Sequence, residues 1–331
     1  MSSLEKVNHS PQNLAQLLKA AADDLRLAIL QVLAKDSYGV LELAQMFAVK
    51  QSGMSHHLKV LASAELLVTR REGNSIFYRR ATTAPDDALL GIKQALFTQV
   101  DELPLGAHLQ TALTQIWHER AQLSQHFFLE NANKFKEQQD LIAAFDVYKN
   151  QVLELINLSL TEQNSVTSRQ CALEVGPGEG EMLGALSERF AKVIAIDNSE
   201  QMLCRAQDKV IEQQLLNVST RLGDTSLLTE YPIHFDFAVI NMVLHHTPSP
   251  AQIFHDVGAA LKPGGVLIVT ELCLHDQTWT QDACGDVWLG FAPEDLRLWA
   301  QQAQLEEGQS IYFALRNGFQ IQIRQFIKYT L

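Results

Sequence analysis

Acidic residues and glycines recur at the ends of β-prone runs in the second half of this chain. Glu174-Val175 leads into Gly176-Pro177-Gly178-Glu179-Gly180, Asp197 closes the run Val193–Ile196, and Gly223-Asp224 closes Val218–Leu222. Glycines in such a loop let the backbone approach a ligand closely, and a helix that follows supplies unpaired N–H groups. A dinucleotide fingerprint needs a third glycine where Glu181 stands, and a carboxylate there opposes a pyrophosphate. A G-x-G-x-G loop preceded by an acid suits a ligand with a cationic or zwitterionic group instead. Asp197, 23 positions after Glu174, can accept both ribose hydroxyls of an adenosine, and Asp224 can accept an adenine amino group.

A second set of chemistry-bearing residues lies far upstream. Gln51, Ser52, Ser55, His56 and Lys59 form the polar face of one helical run, and Arg70, Arg71, Arg79 and Arg80 flank a turn. Gln and Ser reach base edges, whereas Lys and Arg hold phosphates. The net charge of −12 disfavours nucleic acid only as an average. Residues 1–85 carry ten Lys and Arg against seven acids, a net +3, while the remainder carries 16 against 31. A phosphate-binding role is confined to the first segment, where local charge decides.

The elements that must position these residues divide the 331-residue chain into two domains of ordinary size. Leu14, Leu17, Leu18 and Ala21, then Leu25, Ala28, Ile29, Val32 and Leu33, follow helical spacing, with Asp23 and Asp24 where a cap starts the second helix. A short helix Val40–Phe47, a break at Ala48-Val49-Lys50 and a longer helix Gln51–Ala64 make a helix-turn-helix. Leu67–Arg71 and Ile76–Arg80, joined by Glu72-Gly73-Asn74-Ser75, make a hairpin wing. A helix over Asp86–Val100 follows, and Leu105–Leu160 reads as a helical connector and lid, with hinges at Leu103-Pro104 and Thr161–Arg169. Ile116, Leu123, Phe127 and Phe128 mark one apolar side of it, and Leu141, Phe145, Val152, Leu155 and Ile156 another.

From Gln170 strands and helices alternate, as in a doubly wound sheet. Strands are predicted at Cys171–Val175, Val193–Asp197, Val218–Leu222, Phe235–Met242, Val266–Glu271, Ser310–Leu315 and Gln320–Lys328, the last two as an antiparallel hairpin. Helices are predicted near Glu181–Phe190, Ser199–Gln214, Ala251–Leu261 and Pro293–Ala303. No run approaches the roughly 18 apolar residues of a membrane span, and the N-terminal stretch lacks a secretion signal. Four cysteines without a CxxC pair argue against a disulfide scaffold and a structural zinc site. A cytoplasmic protein without metal or membrane partner is expected.

Asp23–Leu30, Leu43-Ala44, Met54-Ser55-His56-His57-Leu58-Lys59-Val60-Leu61 and Gly73–Tyr78 resemble the winged helix-turn-helix of the arsenic-responsive (ArsR/SmtB-type) bacterial repressors, over about the first hundred residues. The resemblance implies binding to double-stranded operator DNA as a homodimer, with the helix over Asp86–Val100 pairing with the first helix. Metal-sensing members carry a cysteine pair where this chain has Val40-Leu41-Glu42-Leu43-Ala44, so the effector must enter elsewhere. Leu173–Gly180, Asp197–Met202, Gly223-Asp224, Asn241–His246 and Leu261–Gly265 resemble the class I S-adenosylmethionine-dependent methyltransferases, in particular the ubiquinone and menaquinone branch. That resemblance implies a Rossmann-like seven-stranded domain. It puts Glu174, Gly176, Gly178 and Gly180 near the methionine part of the cofactor, Asp197 and Asn198 at the ribose, Met202 against the adenine, Gly223 and Asp224 at its amino group, and Asn241 nearby.

His245-His246 would face the methyl group. An imidazole with a pKa of about 6.5 can take a proton from an acceptor, yet methyl transfer from a sulfonium needs mostly alignment, so structural and catalytic roles stand equal. Trp279 and Trp288 fall in a stretch similar to a substrate side. Arsenite chemistry is disfavoured, since Cys171 is predicted in a strand and Cys204 in a helix, leaving only Cys273 and Cys284 near that side. Two functions remain open. One is a transcription regulator that senses S-adenosylmethionine or S-adenosylhomocysteine. The other is a working methyltransferase on a small-molecule acceptor with a DNA-binding regulatory domain.

Overall fold

A computed structural model of the chain describes residues 10–73, 75–82, 87–131, 135–161 and 168–329. It divides into two compact units, residues up to 118 and residues from 119 onward. Among the described residues no helix is long and apolar enough to cross a membrane.

The first unit opens with α1 (Pro11–Ala21) and α2 (Asp24–Val32); the Asp23 side chain caps α2 by accepting the Arg26 N–H at 3.0 Å. The two-residue strand β1 (Tyr38–Gly39) precedes α3 (Val40–Met46), whose Glu42 carboxylate accepts the Gly39 N–H at 2.7 Å. α4 (Gln51–Ser63) follows, then β2 (Leu67–Glu72) and β3 (Ser75–Arg80), which pair antiparallel with Glu72 opposite Ser75. β1 adds to the other edge of β3, so the wing is a three-stranded sheet in the order β1-β3-β2. Asn74 of the predicted turn lies outside the described residues.

α5 (Leu90–Glu102) begins later than the predicted Asp86, which is also outside the described residues. The stretch read as connector and lid is apportioned between the units. α6 (Ala107–Asn131) places Leu109 and Ile116 in the core of the first unit and runs on into the second. α7 (Phe135–Ala143) and α8 (Phe145–Ser159) belong to the second, and Val152, Leu155 and Ile156 of α8 are buried in its core. Leu123 and Leu141, expected on apolar faces, are exposed. The side chain of Phe128 and most of the hinge predicted at Thr161–Arg169 lie outside the described residues.

The second unit is built on β4 (Cys171–Val175), α9 (Leu183–Ser187), β5 (Lys192–Asp197), α10 (Glu200–Glu212), β6 (Val218–Leu222), β7 (Phe235–Asn241), α11 (Pro250–Ala260), β8 (Leu261–Leu272), α12 (Trp279–Cys284), α13 (Pro293–Gln302), β9 (Leu305–Ala314) and β10 (Gln320–Lys328). Seven strands form one sheet in the order β6-β5-β4-β7-β8-β10-β9. The first five pair in parallel, and β10 joins β8 and β9 antiparallel. Every residue of β4 and all of β7 up to Ile240 are buried, as expected for parallel strands covered on both faces.

Three elements of this unit have a boundary that differs from the sequence reading by three residues or more. The helix predicted over Glu181–Phe190 is the short α9, because Gly180 and the residues after it are taken up by the turn that ends the glycine loop. β8 starts at Leu261 and β9 at Leu305, both five residues earlier than predicted, since β8 continues its pairing with β7 and β9 its pairing with β10.

Phe237 on β7 is fully buried, with its ring centroid 5.2 Å from that of Phe190. Phe237→Ala removes that contact at the centre of the sheet and is expected to cost about 3–5 kcal/mol, measured by urea unfolding followed by tryptophan fluorescence.

Candidate functional site

The strand order reverses direction at β4, with β5 and β6 on one side and β7 and β8 on the other. Open parallel sheets bind ligands in the crevice at such a switch point, outside the carboxyl ends of the strands. Glu174 pairs in register with Ala195 and Val239, and Asp197 with Leu222, so Glu174, Asp197, Asp224 and Asn241 stand at the ends of four adjacent strands.

The loop after β4 has three residues in the left-handed region, Gly176 (φ 66°), Gly178 (φ 56°) and Gly180 (φ 80°). A Cβ on Gly176 would stand 2.6 Å from Val243 Cγ2, so this glycine lets the loop lie against the segment after β7. The Gly176 N–H donates to the Ile196 carbonyl and the Gly223 N–H to the Asp197 carbonyl, each at 2.8 Å, which ties the three strand ends together.

Glu174 is buried, and its Oε2 has no hydrogen-bond partner among the described residues. Burial, with the carboxylates of Asp197 and Glu181 nearby, pushes its pKa up to about 8. Asp197 is half-buried and accepts the Ser199 N–H at 2.8 Å. Burial pushes its pKa up to about 6 against hydrogen bonds from the backbone of Ser199, Gly178 and Asn198. Asn198 is exposed. Met202 is buried in the first turn of α10. Asp224 is exposed and accepts the Ser226 N–H at 2.9 Å. Asn241 donates its side-chain amide to the Tyr148 hydroxyl at 3.4 Å, and its Oδ1 is buried without a partner among the described residues. The orphaned acceptors of Glu174 and Asn241 beside a glycine cradle fit a ligand that brings hydrogen-bond donors and positive charge.

His245 and His246 occupy a single 3₁₀ turn, both buried, with ring centroids 4.0 Å apart. The sequence reading missed what surrounds them. His245 Nδ1 is 2.5 Å from Glu271 Oε1, and its Nε2 is 3.8 Å from Asp286 Oδ1. Burial disfavours the charged ring, but Glu271 and Asp286 outweigh it and push the His245 pKa up to about 9. Burial and the neighbouring His245 hold His246 well below the ordinary range. Glu271 ends a predicted strand as Asp197 does, a signal available in sequence; Asp286 follows a short helix and carried none.

Helix α7 reaches both sets of residues. Lys136 Nζ lies 3.2 Å from Glu181 and 3.5 Å from Glu179, and the Gln139 side-chain amide lies 2.9 Å from His246 Nε2. Trp288 is buried and donates its indole N–H to the Thr247 carbonyl at 2.8 Å, whereas Trp279 is partly exposed. Burial raises the thiols of Cys273 to about 11 and of Cys284 to about 12.

In the first unit, Gln51, Ser52, Ser55, His56 and Lys59 are all exposed on α4, while Met54, Leu58 and Leu61 are buried beneath them. Arg71 is exposed, and its Nε donates to the Gly73 carbonyl at 3.1 Å; Arg79 is half-buried on β3. Arg70 and Arg80, also expected to hold phosphates, are ion-paired within the protein. Arg70 is ion-paired with the buried Glu72, and Arg80 makes a two-pronged pair with Asp101 at 2.6 and 2.8 Å while lying over the Phe97 ring.

Residues 23–68 match the family model for bacterial regulatory proteins of the arsR family, and residues 173–269 match that for a methyltransferase domain. The chain joins an arsR-type helix-turn-helix to a methyltransferase domain. It is similar to the ubiquinone biosynthesis O-methyltransferase of Coxiella burnetii, 32% identical over 123 residues, which are 36% of this chain and 52% of that protein. It is also similar to the demethylmenaquinone methyltransferase of Shouchella clausii, 31% identical over 113 residues, 33% of this chain and 48% of that one. The chain thus spans about half the length of the curated relatives it matches. Among solved structures it is similar to a magnesium protoporphyrin IX methyltransferase from Synechocystis PCC 6803, at 15% identity over 63% of this chain and 99% of that one, with a TM-score of 0.49.

In the methyltransferase domain, Glu174 holds a proton at neutral pH that the unfolded chain releases above its ordinary pKa of about 4.3. Its contribution to stability is complete below that value and is lost as pH rises to about 8. Relative to Glu174→Gln, the ligand-free wild type is therefore expected to lose stability between pH 5 and pH 8, by an amount on the order of a few kcal/mol. Paired thermal melts at the two pH values measure it.

Proposed function

We propose that this chain is a transcription regulator of the arsR type whose methyltransferase domain binds S-adenosylmethionine or S-adenosylhomocysteine as effector. The observation that carries the reading is the pair of buried acceptors without a hydrogen-bond partner among the described residues, Glu174 Oε2 and Asn241 Oδ1, beside a glycine loop at the switch point of the sheet. A ligand ammonium beside Glu174 would stabilise its carboxylate, the ribose hydroxyls would bridge to Asp197, and the adenine would lie toward Met202, Gly223 and Asp224. Bound S-adenosylmethionine supplies a sulfonium methyl group. The exposed polar face of α4 supports DNA contact, with Gln51, Ser52, Ser55 and His56 toward base edges and Lys59, Arg71 and Arg79 toward phosphates. Binding as a homodimer to a palindromic operator would double these contacts.

For regulation, the ligand must favour one DNA-binding state by about 1–3 kcal/mol. A second reading, a working methyltransferase on a small-molecule acceptor, is supported by the buried His245–Glu271 pair beside the segment that packs on Gly176. Turnover with an acceptor would favour it over the sensor.

The deciding experiment is fluorescence anisotropy of the full chain on DNA from upstream of its own gene at fixed salt, without ligand and with each adenosyl compound. A severalfold shift in Kd supports the sensor; specific binding that neither ligand alters rejects it. Asp197→Ala is expected to abolish adenosyl binding by calorimetry while leaving ligand-free DNA binding intact. Lys59→Ala is expected to weaken DNA binding and to reduce the slope of log K against log salt by about 1.

A further inference from the structure

We propose that His245, His246 and Asp286 form a binding site for one divalent transition-metal ion of the zinc, cobalt or iron(II) class. The two histidines come from the turn after β7 and the aspartate from just beyond α12, 40 positions downstream of His246. All three are buried, and one ligand atom from each lies within 4.8 Å of the others. Asp286 Oδ1 stands 3.8 Å from His245 Nε2 and 3.6 Å from His246 Nδ1.

The decisive atom is His245 Nε2, fully buried and without a hydrogen-bond partner among the described residues. Glu271 accepts the proton on the other ring nitrogen at 2.5 Å, which orients the ring and directs Nε2 at Asp286. At 3.8 Å that nitrogen and the carboxylate oxygen are too far apart for a hydrogen bond. A buried ring nitrogen and a buried carboxylate oxygen that face each other without a mutual hydrogen bond are poorly compensated in a dry interior, and a divalent cation that displaces the ring proton would bind both. Atoms that ligate one ion at about 2.0–2.2 Å stand roughly 3.0–3.6 Å apart; the two distances to Asp286 are within a few tenths of an ångström of that range, and the two ring nitrogens are no more than 4.8 Å apart.

The surroundings match those of metal-bound imidazoles, which usually donate their second nitrogen to a carboxylate or amide oxygen. Glu271 plays that part for His245. For His246, Gln139 Nε2 lies 2.9 Å from the ring Nε2 and the Gly285 carbonyl 3.4 Å from Nδ1; with the Gln139 amide turned so that its oxygen accepts the Nε2 proton, Nδ1 can exchange the long contact to Gly285 for the ion. Two imidazoles and one carboxylate select first-row transition ions over magnesium or calcium. Three protein ligands leave a position for water or for an oxygen of a bound molecule. This site rests on neither the adenosyl ligand nor DNA binding.

The test uses untagged full-length protein, stripped with chelator and titrated with cobalt(II) as a spectroscopic probe. The expected result is visible d–d absorption that saturates at one cobalt per chain and is bleached by zinc. Asp286→Asn, which keeps the side-chain shape, is expected to weaken binding tenfold or more, and Glu271→Gln to weaken it roughly 10–100-fold. Far-UV circular dichroism checks the fold of each variant, and His246→Gln serves if Asp286→Asn does not fold. Absence of a saturable band in the wild type, or a band that these substitutions leave unchanged, overturns the proposal.

Discussion

The burial of Glu174 at the tip of the central strand is the constraint around which the methyltransferase domain is arranged. A carboxyl group taken out of water with one oxygen unpartnered is unfavourable, and it persists because the neighbouring strands leave it nowhere else to go. β4 is hydrogen-bonded on both sides, so the position of residue 174 is set by the ladders to β5 and β7. The next residues then turn sharply through three left-handed glycines, against Val243 on one side and the Asp197 carboxylate on the other. The crevice is rigid for the same reason that its acid is protonated near neutral pH: the sheet fixes both.

A second buried charge system lies a few residues along β7 and β8. His245 sits between Glu271 and Asp286, and the carbonyl of the same residue accepts the N–H groups of Val287 and Trp288 at 2.8 and 3.1 Å. Helix α7 touches both systems, through Lys136 on the glycine-loop carboxylates and Gln139 on His246. The glycine loop and the histidine pair are thus connected by one helix of nine residues.

The arsR-type unit follows simpler electrostatics. Its basic surplus is small, and part of it is spent internally on Glu72 and Asp101. What remains outward is the polar face of α4 and Arg71 of the wing, a surface for which orientation against a duplex counts for more than total charge.

Much of this was legible in sequence. The period of the apolar residues marks the helices of the first unit, the alternation of strands and helices marks the doubly wound sheet, and the glycines after Glu174 mark where the first crossover turns, because each of these follows from local spacing. The convergence of Glu174, Asp197, Asp224 and Asn241 was legible for the same reason: strand ends are local features, and parallel strands bring their ends together. Other facts needed the tertiary structure. Arg80 looks like a phosphate holder until α5 brings Asp101 against it, and the sequence left His245-His246 between a structural and a catalytic role without showing that β8 and the residues after α12 enclose it. Pairings between residues 21, 26 or 41 positions apart leave no period in the chain. Sequence alone determined most of the elements and the apolar faces of the central ones; the packing of those elements decided which charges meet and left Leu123 and Leu141 exposed, because burial and proximity are properties of the assembled fold.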